Sequence, residues 1–190
     1  RSLHAAMYRF WTNAEDVDEI SRAEELLFHD LMSGMYKTSV ADTERILDEA
    51  IRKGKLAWAR KPLETVIVSA PDSHKPVITR ALSRIEYTEG DINRAATLLG
   101  EVTDQGNVQV TKANIVHLSR YASLREKLGH SEEAEEILTR CLEVLDEDTL
   151  QAAGSVYGTL AWIAFKRGEG ERARDFAERG LVHMRPDSTD

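Results

Sequence analysis

The segments "EKLGHSEEAEEILTRCLEVLDED" (residues 126–148) and "FKRGEGERARDFAERGLVHMRPD" (165–187) share one arrangement of small and apolar residues. In each, a glycine is followed five positions later by alanine and eight positions later by an apolar side chain. Gly90, Gly129 and Gly168 are equally spaced, with a period of 39. Six aligned columns agree in residue type around these glycines. A fixed period of this size is typical of stacked helical repeats.

The residues on both sides of each glycine have helical periodicity. Apolar residues recur there at three- and four-residue spacing. The segments are 76–89, 91–103, 110–128, 131–145, 152–167 and 170–184. Glycine adopts a left-handed backbone without a Cβ penalty, so it is expected to end the first helix of each pair. Ser131 is the predicted N-cap of the helix after Gly129, and Asp91 has the same role after Gly90. We therefore predict three antiparallel hairpins over residues 76–187, stacked on one another.

The N-terminal part, residues 1–70, is less regular and is predicted as irregular helices, with one degenerate repeat as an option. Amphipathic stripes run over 3–11 and 20–35, and a helix over 40–53 is expected to end at Gly54. Pro62 is expected to break or restart the helix that begins near Leu56. The β-branched run 66–68 leaves a short strand as the alternative to a buried helix. The first stripe is expected to pack on the array, with a dimer contact or a membrane surface as alternatives.

Composition bounds the classes of partner. The chain has 190 residues, is 42% hydrophobic, and carries a net charge of -8 from 25 basic and 33 acidic residues. This balance argues against direct nucleic-acid binding, which depends on clustered Lys and Arg. Cys141 is the single cysteine, which favours a reducing, cytoplasmic compartment without deciding it. No run approaches the ~20 apolar residues of a membrane span. Because the sequence begins at Arg1, a lost anchor and excision from a larger protein stay open, as does the oligomeric state.

The two quoted segments resemble the tetratricopeptide repeat (TPR). Gly129, Ala134 and Cys141 match its positions, as do Gly168 and the residues Ala173, Gly180 and Pro186. Residues 76–103 are a weaker third copy. The period of 39 departs from the usual 34 of that family, so the first helices or the connections between repeats must be longer. The resemblance implies an all-α, right-handed solenoid of antiparallel hairpins with about nine or ten helices, which binds partner proteins or peptides in a concave groove.

The resemblance also implies which side chains line that groove. They are Arg80, Arg84 and Tyr87 in the first copy, Ser119, Ser123, Glu126 and Lys127 in the second, and Trp162, Phe165 and Lys166 in the third. Arg80 and Arg84 lie one turn apart, so together they could clamp a carboxylate. The simpler alternative is that they pair with Glu86, Asp91 or solvent. Trp162 and Phe165 have the side chains typical of binding hot spots, although aromatics at helical spacing are more often core residues.

Other chemistry finds little support. The six histidines show no metal-ligand spacing, the acidic clusters no calcium-loop pattern, and Gly168–Gly170 no phosphate loop. Cys141 has no neighbouring base in the sequence that would activate it. We therefore expect no enzyme activity, no cofactor and no metal.

The last helix is expected to be an outer, solvated one. Its inward residues are predicted to be Ala173, Phe176, Ala177, Gly180, Leu181 and Met184, and its outer face is charged. A polar outer face is typical of a terminal repeat. Overall, the sequence predicts a protein-interaction scaffold or adaptor. The alternative is a ligand- or partner-sensing regulatory domain of a larger protein, such as a transcription activator.

Overall fold

A computed structural model of the chain describes residues 2–13 and 17–184. This part of the chain holds ten α-helices, two short 3₁₀ helices and no strand. The α-helices are α1 (Ser2–Thr12), α2 (Glu19–Ser33), α3 (Val40–Arg52), α4 (Leu56–Val66), α5 (Lys75–Glu89), α6 (Ile92–Val102), α7 (Ile115–Lys127), α8 (Ser131–Leu142), α9 (Leu150–Lys166) and α10 (Gly170–Met184). The all-α prediction is confirmed, and Gly90 ends α5 in a left-handed conformation (φ 94°) as predicted. The proposed closing proline, Pro186, lies outside the described residues.

The chain forms two compact units, residues 1–91 and 92–190. In the N-terminal unit α1 and α4 pack on α2, and α3 packs on α5. Leucines and isoleucines fill its core, including Leu27, Leu31, Leu47, Leu63, Ile78 and Ile85. Helix α1 has no fully buried residue, and Leu3 and Phe10 of its predicted stripe are 70% and 60% exposed. Its attachment to the unit therefore depends on half-buried contacts with α2.

Asp30 organises the turn between α2 and α3, a role that the sequence pattern did not reveal. Its carboxylate is fully buried and accepts hydrogen bonds from the backbone N–H groups of Lys37 and Thr38, at 2.9 and 2.7 Å. Because burying a polar side chain is costly unless it is hydrogen-bonded, these two backbone donors account for the burial of Asp30.

Two local expectations were wrong, and one alternative that the sequence left open is decided. Helix α4 continues through Pro62, because the helix is held by its buried side, which includes Ala59, Pro62 and Leu63. The strand that was the alternative for the run 66–68 does not form: Val66 ends α4, and a turn follows. Ser131 is the first residue of α8 rather than its cap; His130 occupies the N-cap position and its side chain makes no capping hydrogen bond.

In the C-terminal unit, α6, α7, α8 and α9 enclose one apolar cluster. Its buried members include Leu99, Leu118, Ala134, Leu138, Cys141, Val156 and Ile163. Ala134, five positions after Gly129, is fully buried. Helix α9 contacts both α7 and α8, and α10 packs on α9. The site described below is formed by these last two helices.

Candidate partner-binding surface

Arg80 and Arg84 do lie one turn apart on α5, but both are engaged by α3. Nη2 of Arg80 lies 3.0 Å from Oε1 of Glu44, and Arg84 forms an ion pair with Asp48. Glu44 and Asp48 are themselves one turn apart, so two matched pairs join the helices. The arginines therefore pair within the chain, although their partners are not the expected Glu86 and Asp91.

Glu86 is occupied by a different arginine. Nη1 of Arg60, on α4, donates to Oε1 of Glu86 at 2.8 Å, and Nη2 of Arg60 donates to Glu89 at 2.5 Å. These bonds raise the pKa of Arg60. The third predicted residue of this helix, Tyr87, is 47% exposed. The two arginines of α5 are paired with α3, and Glu86 of α5 is paired with α4. These charged side chains therefore hold the N-terminal unit together.

The predicted residues of α7 mostly serve the contact with α9. Ser119 is fully buried, and its hydroxyl donates to the carbonyl oxygen of Val116. The Ser123 hydroxyl lies 2.6 Å from that of Thr159 and 3.3 Å from that of Ser155. Lys127 is exposed. Ser119 consequently offers no surface to a partner, and Ser123 is engaged by its own unit.

Glu126 is also part of this internal contact. Its carboxylate is 6% exposed and accepts a hydrogen bond from Nζ of Lys166 at 2.8 Å. Lys166, which was predicted to face a partner, thus directs its charge at α7. The ammonium itself remains partly solvated, since the side chain is 44% exposed.

Trp162 and Phe165 differ from the other predicted residues because they remain open to solvent. Trp162 is 51% and Phe165 65% exposed, and their rings stack with centroids 5.7 Å apart and an interplanar angle of 24°. The expectation that they are core residues was wrong. On α9 both rings lie outside the buried stripe of Ala152, Val156, Leu160 and Ile163. Trp162 lies one turn from both Thr159 and Lys166, which meet α7.

The two rings form one wall of an apolar groove between α9 and α10. We call it the aromatic groove; it is lined by Gly158, Trp162, Phe165, Ala173, Ala177 and Leu181. Gly180 lines it as well, and an added Cβ there would come within 3.1 Å of Cβ of Tyr157. Small residues on its floor and bulky ones on its wall leave a slot into which side chains of another molecule can insert.

The charged outer face predicted for α10 is exposed, but the groove contradicts the expectation that all the apolar residues of this helix point inward. Ala177 and Leu181 were predicted to point inward, yet both are exposed, Leu181 by 59%. The side chain of Met184 lies outside the described residues. The period of α10 was interpreted correctly, but its apolar stripe is wider than the strip that α9 covers.

The sequence contained the signal for this groove. A shift by one repeat period places Trp162 in the column of Ser123 and Phe165 in the column of Glu126. Polar residues in one repeat and aromatics in the next indicate that the two faces meet different surroundings.

The structure also shows the surroundings of the single cysteine and of two of the histidines. Cys141 is fully buried, and its burial raises the pKa of the thiol to about 11, so it is protonated and inaccessible at neutral pH. His4 and His29, far apart in sequence, lie with their Nδ1 atoms 2.9 Å apart. Among the described residues, no cluster of three His, Cys, Asp or Glu side chains has metal-binding geometry, and none of the helices has the length and hydropathy to cross a bilayer.

Comparison with known proteins gives a clear result for the fold. Crystallised TPR-like repeats of a kinesin light chain-like protein from Podosopora anserina superpose with a TM-score of 0.59 and 16% identity, covering 100% of this chain and 97% of that one. The protein has a TPR-like helical-repeat fold. A variant of the same repeats, carrying one glutamine-to-methionine substitution, gives 0.60 and 16% over 96% and 93%. No protein-family model and no curated protein matches the sequence. The TPR-like assignment thus rests on shape and agrees with the motif resemblance.

Proposed function

We propose that this TPR-like chain is a non-catalytic interaction module that binds a partner protein, and that the aromatic groove is its principal contact surface. TPR-like folds usually act as protein-binding scaffolds. The observation that carries the proposal is the stacked, half-exposed pair of Trp162 and Phe165 beside a floor of small residues. A contiguous exposed apolar patch on a folded protein marks an interaction site.

The energetics favour this surface over the other predicted residues. Burying tryptophan in a desolvated pocket commonly contributes roughly 2 kcal/mol or more to binding. Arg80 and Arg84 would first have to leave Glu44 and Asp48, and this cost would offset what a new carboxylate could return. Tyr87 keeps exposed surface in the N-terminal unit, and Lys127 keeps exposed surface in the C-terminal unit. The binding energy is therefore assigned to α9 and α10.

The test compares W162A/F165A with a matched control, F10A. Phe10 is also an exposed aromatic on a helix, at 60%, but it lies in the other unit. Both variants should melt close to the wild type, because exposed side chains contribute little to stability. Partners are captured by cross-linking in the native cell, and the captured protein is then purified and titrated.

The proposal requires at least a roughly tenfold weaker Kd for W162A/F165A with the purified partner, and an unchanged Kd for F10A. Equal affinity of W162A/F165A and the wild type would overturn it.

A further inference from the structure

The repeat register shows what covers the equivalent face one hairpin earlier. A shift by one period maps Leu138 onto Ala177 and Cys141 onto Gly180. Leu138 and Cys141 are fully buried in the cluster that α9 completes. Ala177, in contrast, is exposed, whereas Gly180 is still buried. The aromatic groove is therefore the uncovered counterpart of a face that, in the preceding hairpin, receives a helix.

The helix that covers the earlier face has a defined pattern. Helix α9 places Ala152, Val156, Leu160 and Ile163 in the core cluster, at successive spacings of four, four and three. Beside this stripe, Ser155 and Thr159 meet Ser123, and Lys166 meets Glu126. An amphipathic helix of this pattern fits the groove between two antiparallel helices.

The exposed face differs from the earlier one in volume. Trp162 stands where Ser123 would be, whereas the floor shrinks from Leu138 to Ala177 and from Cys141 to Gly180. Compared with the preceding hairpin, the large side chain is therefore on the wall of the groove and the small residues are on its floor. A complementary helix must therefore be small where it passes Trp162 and large where it meets the floor, since interiors pack at uniform density.

The exposed face also differs in charge. Glu135 of α8 accepts hydrogen bonds from Arg172, at 2.7 Å, and from Arg167, which directly follows α9. The residue one period after Glu135 is Arg174, whose side chain is 75% exposed and bonds Glu178 of its own helix. The sign of the charge is reversed. A helix seated here would complement Arg174 with a carboxylate, at the position where α9 is followed by an arginine.

From these observations we infer that the aromatic groove binds an amphipathic helix of a partner protein, seated as α9 sits on α7 and α8, with an acidic side chain directed at Arg174. The inference rests on the proposed function and adds the conformation and the charge of the ligand to it.

The probe is a pair of labelled synthetic helices of about 20 residues on an alanine-rich background. Both carry apolar residues in the spacing of Ala152, Val156, Leu160 and Ile163. One turn after the last of these, one peptide has glutamate and the other lysine. Binding to the full chain is measured by fluorescence anisotropy for the wild type, R174E and a control, R45E. Arg45 is likewise exposed and pairs within its own helix, with Asp42.

The glutamate peptide should bind the wild type at least about threefold more tightly than the lysine peptide, as expected for one partly screened ion pair. R174E should reverse this preference, R45E should keep it, and W162A/F165A should weaken both peptides about tenfold or more. Equal binding of the two peptides, or a preference that survives R174E, would overturn the inference.

Two further outcomes separate this inference from the proposed function. If neither peptide binds while W162A/F165A still loses the native partner, the helix assignment fails and the interaction module stands. If sedimentation shows self-association that Trp162→Ala abolishes, a second copy of the chain occupies the groove, and the partner helix is overturned.

Discussion

Lys166 reaches from α9 to α7, where its Nζ lies 2.8 Å from Oε1 of Glu126, in the preceding repeat of the sequence. The two ends of this bond are unequal, because Glu126 is 6% exposed whereas the Lys166 side chain is 44% exposed. Burial therefore makes the carboxylate depend on its cation more than the cation depends on the carboxylate.

This asymmetry predicts that K166M destabilises the protein more than E126Q does. Removing the lysine leaves a buried carboxylate unpaired, at a cost of about 1–2 kcal/mol after allowance for partial solvation. Removing the carboxylate leaves an ammonium that water can solvate, at about 0.5 kcal/mol. Urea unfolding monitored by circular dichroism measures both. The control is K61M, which removes an exposed lysine of α4 and should have almost no effect.

Gly106 is predicted to be the glycine least tolerant of substitution. It adopts φ +86°, and a Cβ there would lie 2.5 Å from Cδ1 of Ile137. G106A should therefore cost about 2–4 kcal/mol, combining a left-handed backbone with overpacking. Gly129 has a similar φ of +90° with nothing within 4 Å of its Cβ position, so G129A should cost only about 1–2 kcal/mol.

The double variant G106A/I137V tests the cause of the larger effect. Ile137→Val removes the δ-methyl that the new Cβ would meet, so it should recover part of the loss caused by G106A. An additive double variant would show that the backbone conformation alone is responsible.

Acidification should weaken the attachment of α1 through the His4–His29 pair. Burial lowers the pKa of His29, the nearby His4 lowers it further, and the carboxylate of Glu25, 3.7 Å from Nε2, acts in the opposite direction. The folded state then binds fewer protons than the unfolded state between that lowered pKa and the ordinary value of about 6.5. The free energy of unfolding is consequently at its full value above pH ~6.5 and falls as the pH drops below it.

Hydrogen exchange of the α1 amides at pH 7.5 and 5.0 measures this effect locally. The wild type should lose protection in α1 at the lower pH. H29F, which cannot titrate, should lose much less, and H130Q, at an exposed position, should behave as the wild type. An equal loss in H29F would exclude the histidine pair as the cause.

Much of the fold could be predicted from local sequence patterns. Helix α5 ends at Gly90 because only glycine enters the left-handed region without a steric cost, and this preference can be recognised from the sequence alone. The helices around the repeated glycines were predictable too, because helical periodicity is also a local property of the sequence. The most constrained glycine, Gly106, lies outside the period, and its constraint comes from Ile137, which belongs to a later helix.

Only part of the candidate site could be predicted from the sequence. The sequence identified Trp162 and Phe165 as hot-spot residue types, but whether they are core or surface depends on which sides of α9 the neighbouring helices cover. It paired Arg80 and Arg84 with nearby residues of the same hairpin, whereas their partners are Glu44 and Asp48, on the earlier helix α3. Ion-pair partners depend on which helices lie side by side, and the spacing of residues along the sequence does not show which helices are neighbours.

By itself, then, the sequence determined that the chain is helical, that Gly90 ends a helix, and that the pattern recurs with one fixed period. These are local properties of backbone preference and side-chain periodicity. Only the tertiary structure decided which apolar stripe each neighbouring helix covers, and therefore that the stripe of Trp162, Phe165 and Leu181 stays open. Burial depends on how pairs of helices pack in space, so the surface proposed for binding can be recognised only once packing has covered the rest.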